Sequence, residues 1–165
     1  VGLRRRGGAM IKNYTSTVPS ERSIAHIERR LVEHSARNIM KEYGANGELA
    51  GIYFIVQMDG REVPYKLPAK IDKVGEALMK AKRRPRAGTR KKVLAQAERT
   101  AWKLIADWVD VQMSLIELEQ AEFAEVFLPY TYDAGKRETF FERVKAGGYK
   151  LLPCGAGGKG GSSCE

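Results

Sequence analysis

Residues 37–67 read RNIMKEYGANGELAGIYFIVQMDGREVPYKL, and this stretch decides the fold class. Asn46-Gly47 and Asp59-Gly60 supply the positive φ angles that tight hairpin turns require. They separate three runs of strand character, 37–43, 49–58 and 61–67, which predicts an antiparallel meander. In the middle run Ile52, Phe54 and Val56 alternate with Tyr53, Ile55 and Gln57. Apolar residues on both faces make that strand the central one. Pro64 cannot donate to a ladder, so the third strand belongs at an edge.

Working outward, residues 10–18 alternate Ile11, Asn13, Thr15 and Thr17 with Lys12, Tyr14, Ser16 and Val18, which predicts a fourth strand. Pro19 and Ser20 open a helix whose buried stripe is Ile24, Ile27 and Leu31. Beyond Pro68 a helix is expected over 69–82, with Ile71, Val74, Leu78 and Met79 inward, and Pro85 and Gly88 interrupt the chain after it. The longest helix is expected over 89–120. One broad side carries Leu94, Ala97, Ala101, Ile105, Trp108, Val111, Leu115 and Leu118, and Trp102, Val109, Met113 and Ile116 widen it into a second stripe. Helical character continues over 121–128 to Pro129. A turn at 133–135, a short helix at 138–145 and a returning strand at 149–152 complete the reading. The expected fold is α+β: a strand, a helix and a three-stranded antiparallel meander, followed by helices that include one long apolar helix. The four strands would form one sheet with helices against one face. The expected organisation is a basic extension at 1–9, a single domain at 10–153 with a basic loop at 80–92, and a disordered Gly/Ser tail at 154–165.

The chain has 165 residues, of which 43% are apolar, enough to build a core without disulfides or metal. No run approaches the roughly 20 apolar residues of a membrane span, and no apolar run follows the basic start as a secretory signal would require. A cytoplasmic domain is expected. Cys154 and Cys164 both fall in the tail, and His26 and His34 are eight apart on one helix, so the four ligands of a zinc site are not assembled. Phosphate-loop, nucleophile-elbow and H-E-x-x-H motifs are absent. No metal, cofactor or catalytic residue is expected.

Charge is the informative property. The formal net charge is +9. Lys80, Lys82, Arg83, Arg84, Arg86, Arg90, Lys91 and Lys92 form a run without an acid, and Arg4, Arg5 and Arg6 add a basic arm. Together these carry +11, leaving −2 on everything else. Such a block is either a solvated linker or a polyanion-binding surface. Each cation placed on a phosphate releases a counterion, so eight together give salt-sensitive affinity for DNA or RNA. The run contains no aromatic residue and would position a backbone without reading bases. The favoured expectation is therefore a non-catalytic nucleic-acid-binding accessory protein that contacts phosphates through 80–92.

Two other readings compete. A protein-interaction module or homodimer would use the long helix 89–120 through Trp102, Val109, Met113 and Ile116. A metal-dependent nuclease would draw on Glu33, Asp59, Glu62 and Lys66. Glu62 and Lys66 are four apart, about 13 Å along a strand, whereas a nuclease strand sets such residues two apart. Tyr53, Phe54 and Tyr65 either stack bases, as sheet aromatics do in RNA-recognition modules, or fill the core, which is the commoner use.

A series of short phrases also carries a resemblance. These are Ile11 to Thr15, Val18-Pro19, Asn38 to Tyr43, Pro64 to Pro68, Ala97 to Trp102, Asp107 to Met113 and Val126 to Tyr130. In this order they resemble a family of small bacteriophage and prophage proteins of no established activity. The resemblance implies a phage or prophage origin and a bacterial cytoplasm. It transfers no functional residue.

Overall fold

Asp59 and Gly60, both at positive φ (48° and 77°), turn β2 (Leu49–Met58) directly into β3 (Arg61–Pro68). Asp tolerates the left-handed region through local hydrogen bonding and Gly has no Cβ to clash. The turn from β1 (Ala36–Tyr43) into β2 is longer than two residues. Gly44 N–H donates to the Glu48 carbonyl at 2.8 Å and Gly47 takes φ 80°. The computed structural model describes residues 12–81 and 88–153. Its order is α1 (Ser20–Glu33), β1, β2, β3, α2 (Ile71–Lys80), α3 (Thr89–Glu117), α4 (Phe123–Phe127), a 3-10 turn at Leu128–Tyr130, a small hairpin of β4 (Tyr132–Asp133) and β5 (Glu138–Thr139), and α5 (Phe140–Ala146).

The sheet order is β1-β2-β3, antiparallel throughout, with Phe54 opposite Tyr65 and Ile52 opposite Leu67. One face packs on helices. Ile24, Ile27 and Leu31 of α1 meet Ile52, Phe54 and Val56 of β2 and Trp102, Ala106, Val109 and Met113 of α3 in one core, with Phe127 of α4 closing it. A second cluster joins Ile71 and Leu78 of α2 to Val93, Ala97 and Ala101 of α3. The 29-residue α3 is thus the shared spine of both. No helix among the described residues is long and apolar enough to cross a membrane.

Three expectations are corrected. Residues 12–18 form no strand: Asn13 sits at φ 63° and Ser16 N–H returns to its carbonyl at 2.9 Å. The backbone there is satisfied by α3 side chains instead. Gln96 Nε2 donates to the Tyr14 and Ser16 carbonyls (2.9 and 3.1 Å) and Thr100 Oγ1 to that of Asn13 (3.1 Å). Among the described residues the main sheet therefore has three strands rather than four, extended by a single bridge between Tyr65 and Thr131. Residues 149–152 are turn rather than strand, and α3 ends at Glu117. The extension at 1–9 and the tail at 154–165 lie outside the described residues.

Candidate nucleic-acid interface

Four of the eight predicted phosphate-contacting residues are described, and they converge on the junction of α2 and α3. Lys80 ends α2, and Arg90, Lys91 and Lys92 occupy the first turn of α3; all four are exposed. Lys82, Arg83, Arg84 and Arg86 lie outside the described residues. Elsewhere cations are commonly committed: Lys41 to Glu28, Lys66 to Glu42 and Arg143 to Asp133 and Glu138. The four at the junction form no ion pair among the described residues.

The placement runs against helix electrostatics. A helix N-terminus carries partial positive charge and favours acids. α1, α2, α4 and α5 obey this, with Glu21, Asp72, Glu125 and Glu142 in their first turns. α3 has no acid there and three cations, and Gly88 before it, at φ 79°, offers no side-chain cap. An acid-free first turn and solvated cations are thereby stacked at the positive end of the longest helix, an arrangement an anion would stabilise.

The cationic surface continues down the helix. Lys92, Gln96, Arg99 and Lys103 recur at spacings of four, three and four, which puts them on one face over about 16 Å, with Lys103 ion-paired to Asp107. A recess of about 760 Å³ opens beside Lys92 and Arg99, with Tyr14 and Leu78 in its wall. Arg99 donates to Gln96 Oε1 at 2.6 Å, while its Nε–H is buried without a partner among the described residues. Tyr14 is 45% exposed. It is an aromatic next to the basic run, and sequence reasoning missed it because 82 residues separate it from Gln96.

The sheet tyrosines do not serve this surface. Tyr65 is 1% exposed, stacked on Phe54 at 5.3 Å and edge-on to Phe123 and Phe127. Its hydroxyl points to Met58 Sδ at 3.2 Å, and burial raises its pKa. Tyr53 stands on the opposite face of the sheet, edge-on to Tyr132 at 5.0 Å, with Lys66 Nζ 4.8 Å from its ring centre.

The proposed interface stripe is core. Trp102, Val109 and Met113 are completely buried, and Ile116 packs partly buried against the same cluster. α1 and the sheet close that side of α3 within one chain, so Trp102, Val109, Met113 and Ile116 offer no docking face. The exposed apolar residues of α3 are Leu94, Val111 and Leu115, with Leu118 just beyond its end.

The nuclease residues do not assemble either. Glu33 pairs with Arg30 at 2.8 Å, Asp59 is the turn residue, Glu62 lies opposite Gln57, and Lys66 is held by Glu42 at 2.9 Å. No group of three or more His, Cys, Asp or Glu among the described residues is placed to hold a metal ion. The histidines tie α1 to α3. His26 Nε2 meets both carboxylate oxygens of Asp110 (2.7 and 2.8 Å), and His34 Nε2 meets Glu117 at 3.1 Å.

The chain matches no protein-family model, no curated protein and no solved structure.

Proposed function

We propose that the chain binds nucleic acid through its phosphate backbone, without catalysis, using the α2–α3 junction and the adjoining face of α3. The observation that supports this most directly is the first turn of α3, where Arg90, Lys91 and Lys92 stand at the positive end of a helix with no ion-pair partner among the described residues. Surface cations kept only for solubility have no reason to gather where the helix dipole opposes them. Lys80 flanks them, Lys82, Arg83, Arg84 and Arg86 complete the run in sequence, and Arg99 and Lys103 extend it along the helix. Tyr14 supplies a ring on which an unpaired base can stack. The phage resemblance accords with an accessory role in a bacterial cytoplasm.

Fluorescence anisotropy with single- and double-stranded oligonucleotides at several salt concentrations tests the reading. The log–log salt slope should be about 0.9 per contacted phosphate on duplex and about 0.7 on single strands. Converting Arg83, Arg84, Arg86 and Arg90 to alanine should flatten it. Unchanged affinity in that variant defeats the proposal. A second reading, a protein-binding module, is favoured by the exposed stripe Val111, Leu115 and Leu118. Concentration-independent monomer mass in light scattering would remove its homodimer form.

A further inference from the structure

A groove of about 550 Å³ runs between α1 and α3, lined by Arg22, Ser23, His26, Arg29, Lys103 and Asp110 among others. Its charge is lopsided. Among the described residues Asp110 is the one carboxylate in its wall, and both its oxygens already accept from His26 Nε2, with Arg30 Nε 3.5 Å from one of them. Arg29 donates to His26 Nδ1 at 2.8 Å. A guanidinium has no acceptor, so Nδ1 must receive and Nε2 must carry the proton given to Asp110. The chain Asp110–His26–Arg29 therefore leaves the imidazole no free nitrogen for base catalysis, and it fixes a guanidinium at the groove. Arg22 has no side-chain partner among the described residues, Lys103 is paired with Asp107, and Arg29 Nε lies 4.0 Å from Glu33.

Ser23 points to an acceptor ligand. It is 4% exposed, it lines this groove, and its hydroxyl has no hydrogen-bond partner among the described residues. A buried hydroxyl left unpaired loses its hydration without compensation, so its retention among three cations calls for an acceptor. We propose that this groove binds a phosphate group, with Arg22, Arg29 and Lys103 supplying charge and Ser23 Oγ a hydrogen bond. Arg99 and Lys103 lie on the same face of α3, so the groove continues the surface of the proposed function. The inference rests on that reading only for the source of the phosphate, a nucleic-acid strand rather than a free anion.

The test is a titration of the full chain with inorganic phosphate, followed by ¹H–¹⁵N shifts and matched by chloride at equal ionic strength. Saturable shifts at Ser23, His26 and Arg29 are expected with phosphate alone. They should weaken roughly tenfold or more in Arg22→Ala, Arg29→Ala and Ser23→Ala, each removing one hydrogen bond to a charged group. Ser23→Ala should leave stability unchanged or raised, since it deletes an unpaired donor; this separates lost binding from lost folding. Shifts equal to those in chloride, or full phosphate affinity in Ser23→Ala and Arg22→Ala together, overturn the site. Competition by oligonucleotides then identifies the source. Stronger displacement by a 5′-phosphorylated strand than by its 5′-hydroxyl twin marks a strand end, and equal displacement marks the internal backbone. Phosphate saturation with no oligonucleotide binding at low salt would defeat the proposed function and leave a free-anion site.

Discussion

The indole Nε1–H of Trp102, in the middle of α3, donates to the backbone carbonyl of Leu49, the first residue of β2, at 3.2 Å. Both residues are buried. The bond joins the spine helix to the start of the central strand, so α3 is fixed in rotation and not only pressed against the sheet by apolar packing. That rotation decides which side chains of α3 face outward. The core anchor therefore also sets the direction of Lys92, Arg99 and Lys103.

Trp102→Phe keeps most of the apolar volume and removes the donor. It should destabilise the fold by about 1–3 kcal/mol, the cost of leaving a buried acceptor unpaired. Trp102→Ala should cost about 3–5 kcal/mol through the added cavity. Urea unfolding checks this as a lower midpoint at unchanged slope. A Trp102→Phe midpoint equal to the parent would show that the bond contributes nothing net.

The parts of this fold that were legible in sequence are those specified locally. Asp59-Gly60 fixes its own backbone, and the strands it joins alternate as a pleat demands. The rotation of α3 was not legible in the same way. Its apolar residues cover so much of the circumference that the 3.6-residue period leaves two candidate faces. Both are buried: Ala97 and Ala101 face α2 in one cluster, while Trp102, Ala106, Val109 and Met113 face α1 and the sheet in the other. The segment 12–18 misled for a different reason: its alternation is real, but its backbone partners are Gln96 and Thr100, more than 80 residues away. The candidate site divides likewise. The basic run is visible as composition, the recurrence of Lys92, Arg99 and Lys103 follows once helix bounds are known, and Tyr14 has no local signal at all.

Asp107 makes acid sensitivity specific. Burial raises its pKa, but hydrogen bonds from Lys103, Asn13 and Lys12 outweigh this and hold the carboxyl well below its ordinary value. Asn13 Nδ2 and Lys12 Nζ reach Oδ2 at 2.9 and 3.0 Å, so the carboxylate moors the N-terminal segment to α3. A folded-state pKa below the unfolded one adds stability that is complete above about 4, the unfolded carboxyl value, and is lost as pH falls through the folded value. Asp107→Asn should therefore cost about 1–2 kcal/mol at pH 7, and the gap to the parent should narrow steadily below pH 4. Chemical denaturation at pH 7 and pH 3 decides this. A gap that stays constant with pH would mean the effect is steric and not ionic.

Under the proposed function, the first turn of α3 trades stability against binding. Arg90 and Lys91 oppose the helix dipole, so Arg90→Glu and Lys91→Glu replace two unfavourable charges by two favourable ones. Each reversal should stabilise the free protein by about 0.5–1 kcal/mol at low salt, with the gain fading as salt screens it. On a chain of this size 1 kcal/mol corresponds to a rise in Tm of about 2–4 °C. Binding should move the other way. Each reversal frees one phosphate and adds repulsion, so affinity for duplex DNA should fall steeply, and the salt slope should drop by about 0.9 for each phosphate no longer neutralised. A polyanion such as duplex DNA should then raise the Tm of the parent and not that of the double variant. Paired thermal scans with and without DNA read both effects in one experiment. A variant that is more stable and still binds DNA as the parent does would reduce the junction to a soluble linker. A variant less stable than the parent would show that these cations have a structural role instead.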